Sequence, residues 1–251
     1  MEFEFTSIFF VTIALALGGV LKGATGAGAP VLAVPVLTMF FGVKFAVIVM
    51  LMPNLLTNIW QSWAYRASQP SRLFVWSFAI AGCVGVVIGT AMLVTFSQAT
   101  LTILVAIAVF VYIALRLAKP DWKLELALAK LLSVPAGVAA GFLQGATGLS
   151  APVSMTFINA LKLDRAGFIA SISVYFSFST LPQIAALWYF GLLSWTNLAI
   201  SLCAFGVISL FMPLGAALAK RLSRQAFDRL VLILLAVIGC KLLWDAVSHV
   251  A

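Results

Sequence analysis

Gly19-Val20-Leu21-Lys22-Gly23-Ala24-Thr25-Gly26 returns later in the chain as Gly141-Phe142-Leu143-Gln144-Gly145-Ala146-Thr147-Gly148. A proline follows each copy at the same distance, Pro30 and Pro152. The chain is therefore two copies of one unit, and the most unusual stretch of each copy is glycine-rich within strongly apolar sequence. Apolar segments interrupted by glycine and proline, in matching positions of two halves, are how membrane transporters bring backbone groups into the bilayer.

Composition supports the same environment. The chain is 64% hydrophobic and 9% charged, with a mean hydropathy of +1.17. A soluble domain of 251 residues cannot hide that much apolar surface, so the lipid bilayer is a partner of this chain. A net charge of +8 would suggest nucleic acid in a soluble protein. Here Lys and Arg gather at the ends of apolar runs, as in the cytoplasmic loops of membrane proteins, and no nucleic-acid partner is implied. Cys83, Cys203 and Cys240 lack disulfide or metal-ligand spacing and read as small buried hydrophobes. His249 reads as a tail residue. The acidic start, Met1-Glu2-Phe3-Glu4-Phe5, lacks the basic region and cleavage site of a signal peptide, so the first apolar segment is expected to be retained.

Polar punctuation divides each half into four runs. They cover 7–41, 44–65, 72–95 and 99–118 in residues 1–120, and 127–161, 165–190, 195–218 and 227–247 in residues 121–251. A helix needs about 20 residues to cross a bilayer, so the last three runs of each half fit one crossing each. The first run of each half is too long for one crossing, short for two, and broken in the middle. The expected fold is an all-α polytopic membrane protein, one integral membrane domain, in which each half is a broken helical hairpin plus three transmembrane helices.

Basic residues set orientation. Arg66, Arg72, Arg116, Lys119, Lys123, Lys130, Lys162, Arg165, Lys220, Arg221, Arg224 and Arg229 lie between runs or at their ends, and all are placed in the cytoplasm. The turns at 96–98 and 191–195 carry no basic residue and are placed outside. The loop after the second run is basic in one half and uncharged in the other, and the loop after the third run shows the reverse. The halves therefore read as an inverted repeat with both termini periplasmic.

Each broken segment must then enter and return. The first is expected to turn through Thr25-Gly26-Ala27-Gly28 and restart at Pro30; the second turns through Thr147-Gly148-Leu149-Ser150 and restarts at Pro152. Irregular backbone at this depth needs protein or a watery cavity around it. The two tips are expected to meet near the midplane, where restarting helices point unpaired N–H groups and a positive dipole end at the turn. Thr25, Thr147 and Ser150 would add hydroxyl donors.

Lys22 is the charged residue that stands far from any run end, since the acids Glu2, Glu4, Asp121, Glu125, Asp164, Asp228 and Asp245 all sit near ends. An intramembrane lysine costs about 3 kcal/mol on insertion scales and marks function. A cation beside helix N-termini calls for an anion. In the second run Asn54, Asn58 and Gln61 share one helical face, and the matching run carries Ser173, Tyr175, Ser177, Ser179, Thr180 and Gln183. The candidate substrate-binding residues are Lys22, Gly23, Thr25, Gly26, Gly28, Asn54, Asn58, Gln61, Gln144, Gly145, Thr147, Gly148, Ser150 and Tyr175. No intramembrane His, Asp or Glu is present to supply a catalytic group or a metal set, so no catalytic residue, metal site or cofactor is expected. Gly82, Gly85, Gly89, Gly206 and Gly215 read as close helix-packing positions. Trp60, Trp63, Trp76, Trp188, Trp195 and Trp244 read as an interfacial belt.

The repeated motif, the chain length, the bipartite apolar plan and the pair Pro53-Asn54 resemble the sulfite exporter TauE/SafE family, also described as the sulfonate uptake permease group. The resemblance covers nearly the whole chain. It implies an exporter or permease of sulfite, sulfonates, sulfoacetate or related anions in a bacterial inner membrane. The commoner family pattern has consecutive glycines after the motif; here Gly26-Ala27-Gly28-Ala29 and Gly148-Leu149-Ser150-Ala151 stand instead.

The expected function is secondary transport of a small organosulfur anion by alternating access, with the anion held between the two tips and not processed as by an enzyme. The alternative is an anion or small-solute channel; a membrane-embedded enzyme is a weaker third. Proton relays usually use buried carboxylates or histidine, and here the acids sit at or near the run ends. A coupling ion, Na+ or H+, and a homodimer are left open. An anion leaving a cell with a negative interior gains about 2.3 kcal/mol per charge per 100 mV, so potential-driven efflux is the expected energetics.

Overall fold

The computed structural model describes residues 4–118, 122–218 and 224–248, with the backbone alone described over 224–230 and 247–248. Glu2, Lys119, Asp121, Lys220, Arg221 and His249 lie outside the described residues, as do the side chains of Arg224, Asp228 and Arg229. The described residues are helical, without a strand: α1 Phe5–Thr25, α2 Ala29–Phe41, α3 Val43–Val49, α4 Leu51–Ala64, α5 Arg72–Thr95, α6 Gln98–Ala118, α7 Leu126–Thr147, α8 Ala151–Ala160, α9 Arg165–Tyr189, α10 Trp195–Leu218 and α11 Arg224–Ser248, with a 3-10 turn at Arg66–Ser68. Among the described residues, 7 spans are long and apolar enough to cross a membrane, Val43–Ala64 counted as one.

Residues 5–41 form a helical hairpin. α1 runs into the turn at 26–28, α2 returns, and the stacked rings of Phe10 and Phe40, 6.0 Å apart, close its base. Residues 126–160 form the second hairpin. Its base is closed by the Leu124 N–H, which donates to Ala160 O at 2.8 Å. The long arms α1 and α7, of 21 and 22 residues, each reach about 30 Å.

The run at 44–65 is divided where one helix was expected. α3 and α4 meet at Met50, and the cause is Pro53. Proline has no N–H to bond Val49 O four residues earlier. The Ser201 hydroxyl, fully buried on α10, supplies the repair: it donates to Val49 O and accepts from the Met52 N–H, both at 2.9 Å. Prolines 135, 182 and 213 lie inside α7, α9 and α10 without ending them.

The halves exchange partners. α1 packs on α10 and α7 on α5; α4 packs on α9, α10 on α4 and α5 on α9; α2 meets α11 and α8 meets α6. Each of these pairings has its counterpart with the halves swapped. The close contacts run over small residues in parallel register. Gly137 stands against Phe78, Gly141 against Gly82 and Gly145 against Val86, while Gly19 stands against Ile208 and Gly23 against Met212. A side chain at Gly23, Gly85, Gly89, Gly141 or Gly215 would overlap the backbone of the facing helix. Lipid removes the hydrophobic drive between helices, so this intimate van der Waals contact is what holds them. Gly206 departs from the expected packing role: it is exposed, with nothing near the position of a side chain. Cys203 and Cys240 are likewise exposed on the outer apolar surface and not buried, and Cys83 is half-buried.

The contacts sort the helix ends into two groups. Lys44 Nζ donates to Val94 O at 3.0 Å and Gly42 lies against Gln98, so the ends near 5–10, 40–45 and 94–98 share one face. Leu124 meets Ala160, and Ser68 O lies beside Gly167, so 66–72, 122–126 and 160–167 share the other. Arg66, Arg72, Lys123, Lys162 and Arg165 fall on this second face.

Candidate functional site

The two turns are hydrogen-bond copies of each other. Thr25 donates to Leu21 O at 2.8 Å and accepts from the Ala27 N–H; Thr147 donates to Leu143 O at 2.7 Å and accepts from the Leu149 N–H. Thr25 Oγ1 also contacts Ala27 O. Gly26 and Gly148 take φ of 84° and 74° and return their N–H groups to Lys22 O and Gln144 O. Both conformations are left-handed, which glycine adopts without the side-chain penalty. Gly28 is also left-handed at the start of α2, whereas its counterpart Ser150 is right-handed at the start of α8.

These bonds change what the tips offer a ligand. The Thr25 and Thr147 hydroxyls tie down their own turns. The Val31 N–H donates to Gly28 O and the Val153 N–H to Ser150 O, so part of each helix start is already satisfied. The small cavity that the two restarting helices share is walled by Val31, Leu149, Ala151, Pro152 and by Ala108, Val109, Tyr112 and Leu235. The side chains that line this cavity are thus mainly apolar. The polar ones gather on the flank that faces α4 and α9.

Lys22 leads this cluster. It is 2% exposed, and its Nζ donates to Asn58 Oδ1 at 2.9 Å. Asn58 in turn donates through Nδ2 to Asn54 O at 2.6 Å, which fixes the amide with its oxygen toward the lysine. Asn54, Thr57, Asn58 and Gln61 are buried together on one face of α4, beside α9. Gln61 Oε1 accepts from the Ser173 hydroxyl at 3.3 Å. Ser173, fully buried on α9, joins the cluster although it was not among the candidate residues. Its sequence signal was the polar stripe of that run.

The second half repeats this layout without the charge. Lys22, Asn58 and Gln61 have Gln144, Thr180 and Gln183 at the same spacing of 122 residues. Gln183 Nε2 donates to Gln144 O at 3.3 Å. Gln144 Oε1, buried, has no hydrogen-bond partner. Tyr175 faces Ser150 and Ser179, packs on Phe78 with ring centroids 4.8 Å apart, and lies against Gly82. Ser150 shares a hydroxyl contact of 3.0 Å with Ser154. Gln183 is the residue the candidate set left out that its spacing from Gln61 identifies.

Gly23 and Gly145 serve as contact points for α10 and α5. Gly23 O also accepts from Arg165 Nη2 at 2.8 Å, so a cation on the basic face reaches the residue next to Lys22. No group of His, Cys, Asp and Glu able to hold a metal ion occurs among the described residues.

The candidate site is thus a cation, the one buried among the described residues, held by a neutral amide and flanked by uncharged polar groups inside a helical membrane fold with two hairpins. Compared with known protein families, residues 11–242 match the sulfite exporter TauE/SafE family. No curated protein and no solved structure matches the chain. On the extent of that match and the repeated hairpin fold, the chain belongs to the sulfite exporter TauE/SafE family of membrane transporters.

Proposed function

We propose that the protein is a secondary transporter that carries a small anion, sulfite, a sulfonate or a related organosulfur anion, across a bacterial inner membrane. The observation that carries this reading is Lys22. A cation buried among apolar helices, with a neutral amide as its partner, keeps charge unspent for a ligand. The anion binds beside Lys22 on the α4–α9 flank of the first tip, with Asn58, Gln61 and Ser173 as its nearest polar groups. Family membership supplies the chemical class.

The exchange of partners between halves and the clustering of Arg66, Arg72, Lys123, Lys162 and Arg165 on one face support an inverted repeat with that face in the cytoplasm and the termini outside. Rocking of one half against the other then exposes Lys22 to each side in turn. Efflux follows the membrane potential, which moves each negative charge outward with a gain of about 2.3 kcal/mol per 100 mV.

Counterflow in proteoliposomes tests the reading. Vesicles loaded with unlabelled sulfite or methanesulfonate are expected to accumulate the labelled anion transiently and with saturation, as a carrier does. Linear, unsaturable entry would identify a channel, and no entry of any sulfur oxyanion would end the proposal.

A further inference from the structure

The end of α1 is held from the basic face. An α-helix leaves its last carbonyls without partners inside the helix. In α1 the Lys22 carbonyl accepts from the Gly26 N–H, and the Gly23 carbonyl accepts from Arg165 Nη2 at 2.8 Å. Arg165 opens α9, and Ile169, one turn further on, lies against Gly26. The start of α9 therefore covers the first tip. Lys22 stands one turn before the end of α1, about 5 Å along its axis. Arg165, Ile169 and Ser173 follow at intervals of four, so Arg165 heads the helix face whose Ser173 hydroxyl donates to Gln61, about 12 Å further along α9.

Arg165 offers more than this one bond requires. A guanidinium carries five N–H donors in a planar fork. The structure commits Nη2 to Gly23 O, and the residue stays exposed. Among the described residues no carboxylate pairs with it, and the neighbouring Asp164 is engaged in capping α9 by accepting from the Gly167 N–H. A neutral donor would satisfy Gly23 O. A full charge with uncommitted donors, bonded to the residue next to a buried lysine, suits an oxyanion that meets both cations in turn. We propose that Arg165 is the entry residue for the anion on the basic face, receiving it beside the first tip and passing it to Lys22. This rests on the transporter reading above and adds a second cation to it. The fork donates to two oxygens of the anion, as bidentate guanidinium–oxyanion pairs do. Bonded to Gly23 O, the same group holds α9 against the tip, and Lys22 is only 2% exposed beneath it.

Binding of sulfite and methanesulfonate to the purified full chain in nanodiscs tests this. Arg165→Gln keeps a donor for Gly23 O and removes the charge. It is expected to weaken binding about fivefold at low salt, and the difference from wild type is expected to shrink as ionic strength rises, as for a charge at the rim of a site. Arg165→Lys is expected to recover part of the affinity. In the wild-type protein, methanesulfonate is expected to slow modification of Arg165 by phenylglyoxal while Arg66 and Arg72, exposed on the same face, react as before. A folded Arg165→Gln protein with wild-type affinity overturns the inference and leaves the transporter reading standing. So does an absence of protection at Arg165, or equal protection of all three arginines. If Arg165→Gln does not fold, the protection measurement decides. If neither anion binds and counterflow is also absent, the transporter reading fails and this inference with it.

Discussion

Lys22 Nζ and Asn58 Oδ1 lie 2.9 Å apart, and this single bond ties the long arm of the first hairpin to the polar face of α4. The two residues are not interchangeable in what their loss leaves behind. Removing Asn58 strands a buried cation, while removing Lys22 strands a neutral amide that keeps its bond to Asn54 O. Asn58→Leu is therefore expected to destabilise the protein by about 3 kcal/mol, more than Lys22→Met. Thermal unfolding of both variants in one detergent measures the order, and a more damaging Lys22→Met would contradict it.

The glycines make opposite predictions according to what faces them. A side chain at Gly85 meets the backbone of Val138, and one at Gly206 meets nothing. Gly85→Ala is expected to cost about 1–3 kcal/mol through forced separation of α5 and α7. Gly206→Ala is expected to be neutral or to stabilise by up to about 1 kcal/mol, since it removes a helix-interior glycine. Unfolding midpoints of the pair check this, and equal effects would mean that the helix contacts are not as described.

Much of this was legible in the residues themselves. The repeat located both turns, because Gly26 and Gly148 need left-handed backbone and the prolines that follow suit a helix start. The face of Asn54, Asn58 and Gln61 followed from helical spacing. Three things were not legible. The hydroxyls of Thr25 and Thr147 looked like ligand donors, but local backbone acceptors compete for them within their own turns. The interruption at Met50, caused by Pro53, is satisfied by Ser201, distant in the chain, and no local pattern announces a partner 152 residues away. Gly206 and Gly215 look alike in sequence, and only the register of α10 on α1 separates an exposed glycine from a packed one.

Ser201 gives a third prediction. Its hydroxyl satisfies both an orphan carbonyl and an orphan N–H at the α3–α4 break. Ser201→Ala leaves both without partners in a buried setting and is expected to cost about 1–3 kcal/mol. Ser201→Thr keeps the hydroxyl and is expected to retain most of that stability. Thermal melts that rank Ala and Thr equally would remove Ser201 from this role.

Orientation can be read by labelling. With Cys83, Cys203 and Cys240 replaced, single cysteines at Gln69 and Gly191 should react with impermeant thiol reagents from opposite sides, Gln69 from the cytoplasm. Labelling of both from one side would contradict the placement of the basic face.

The most direct test of the central claim is sulfonate flux into proteoliposomes under an imposed voltage, for the wild-type protein and Lys22→Gln. Saturable methanesulfonate uptake that grows with an inside-positive potential, and falls at least about tenfold in the folded Lys22→Gln protein, is the predicted result. Uptake that ignores the potential, follows a pH gradient and proceeds at full rate without Lys22 would contradict the account.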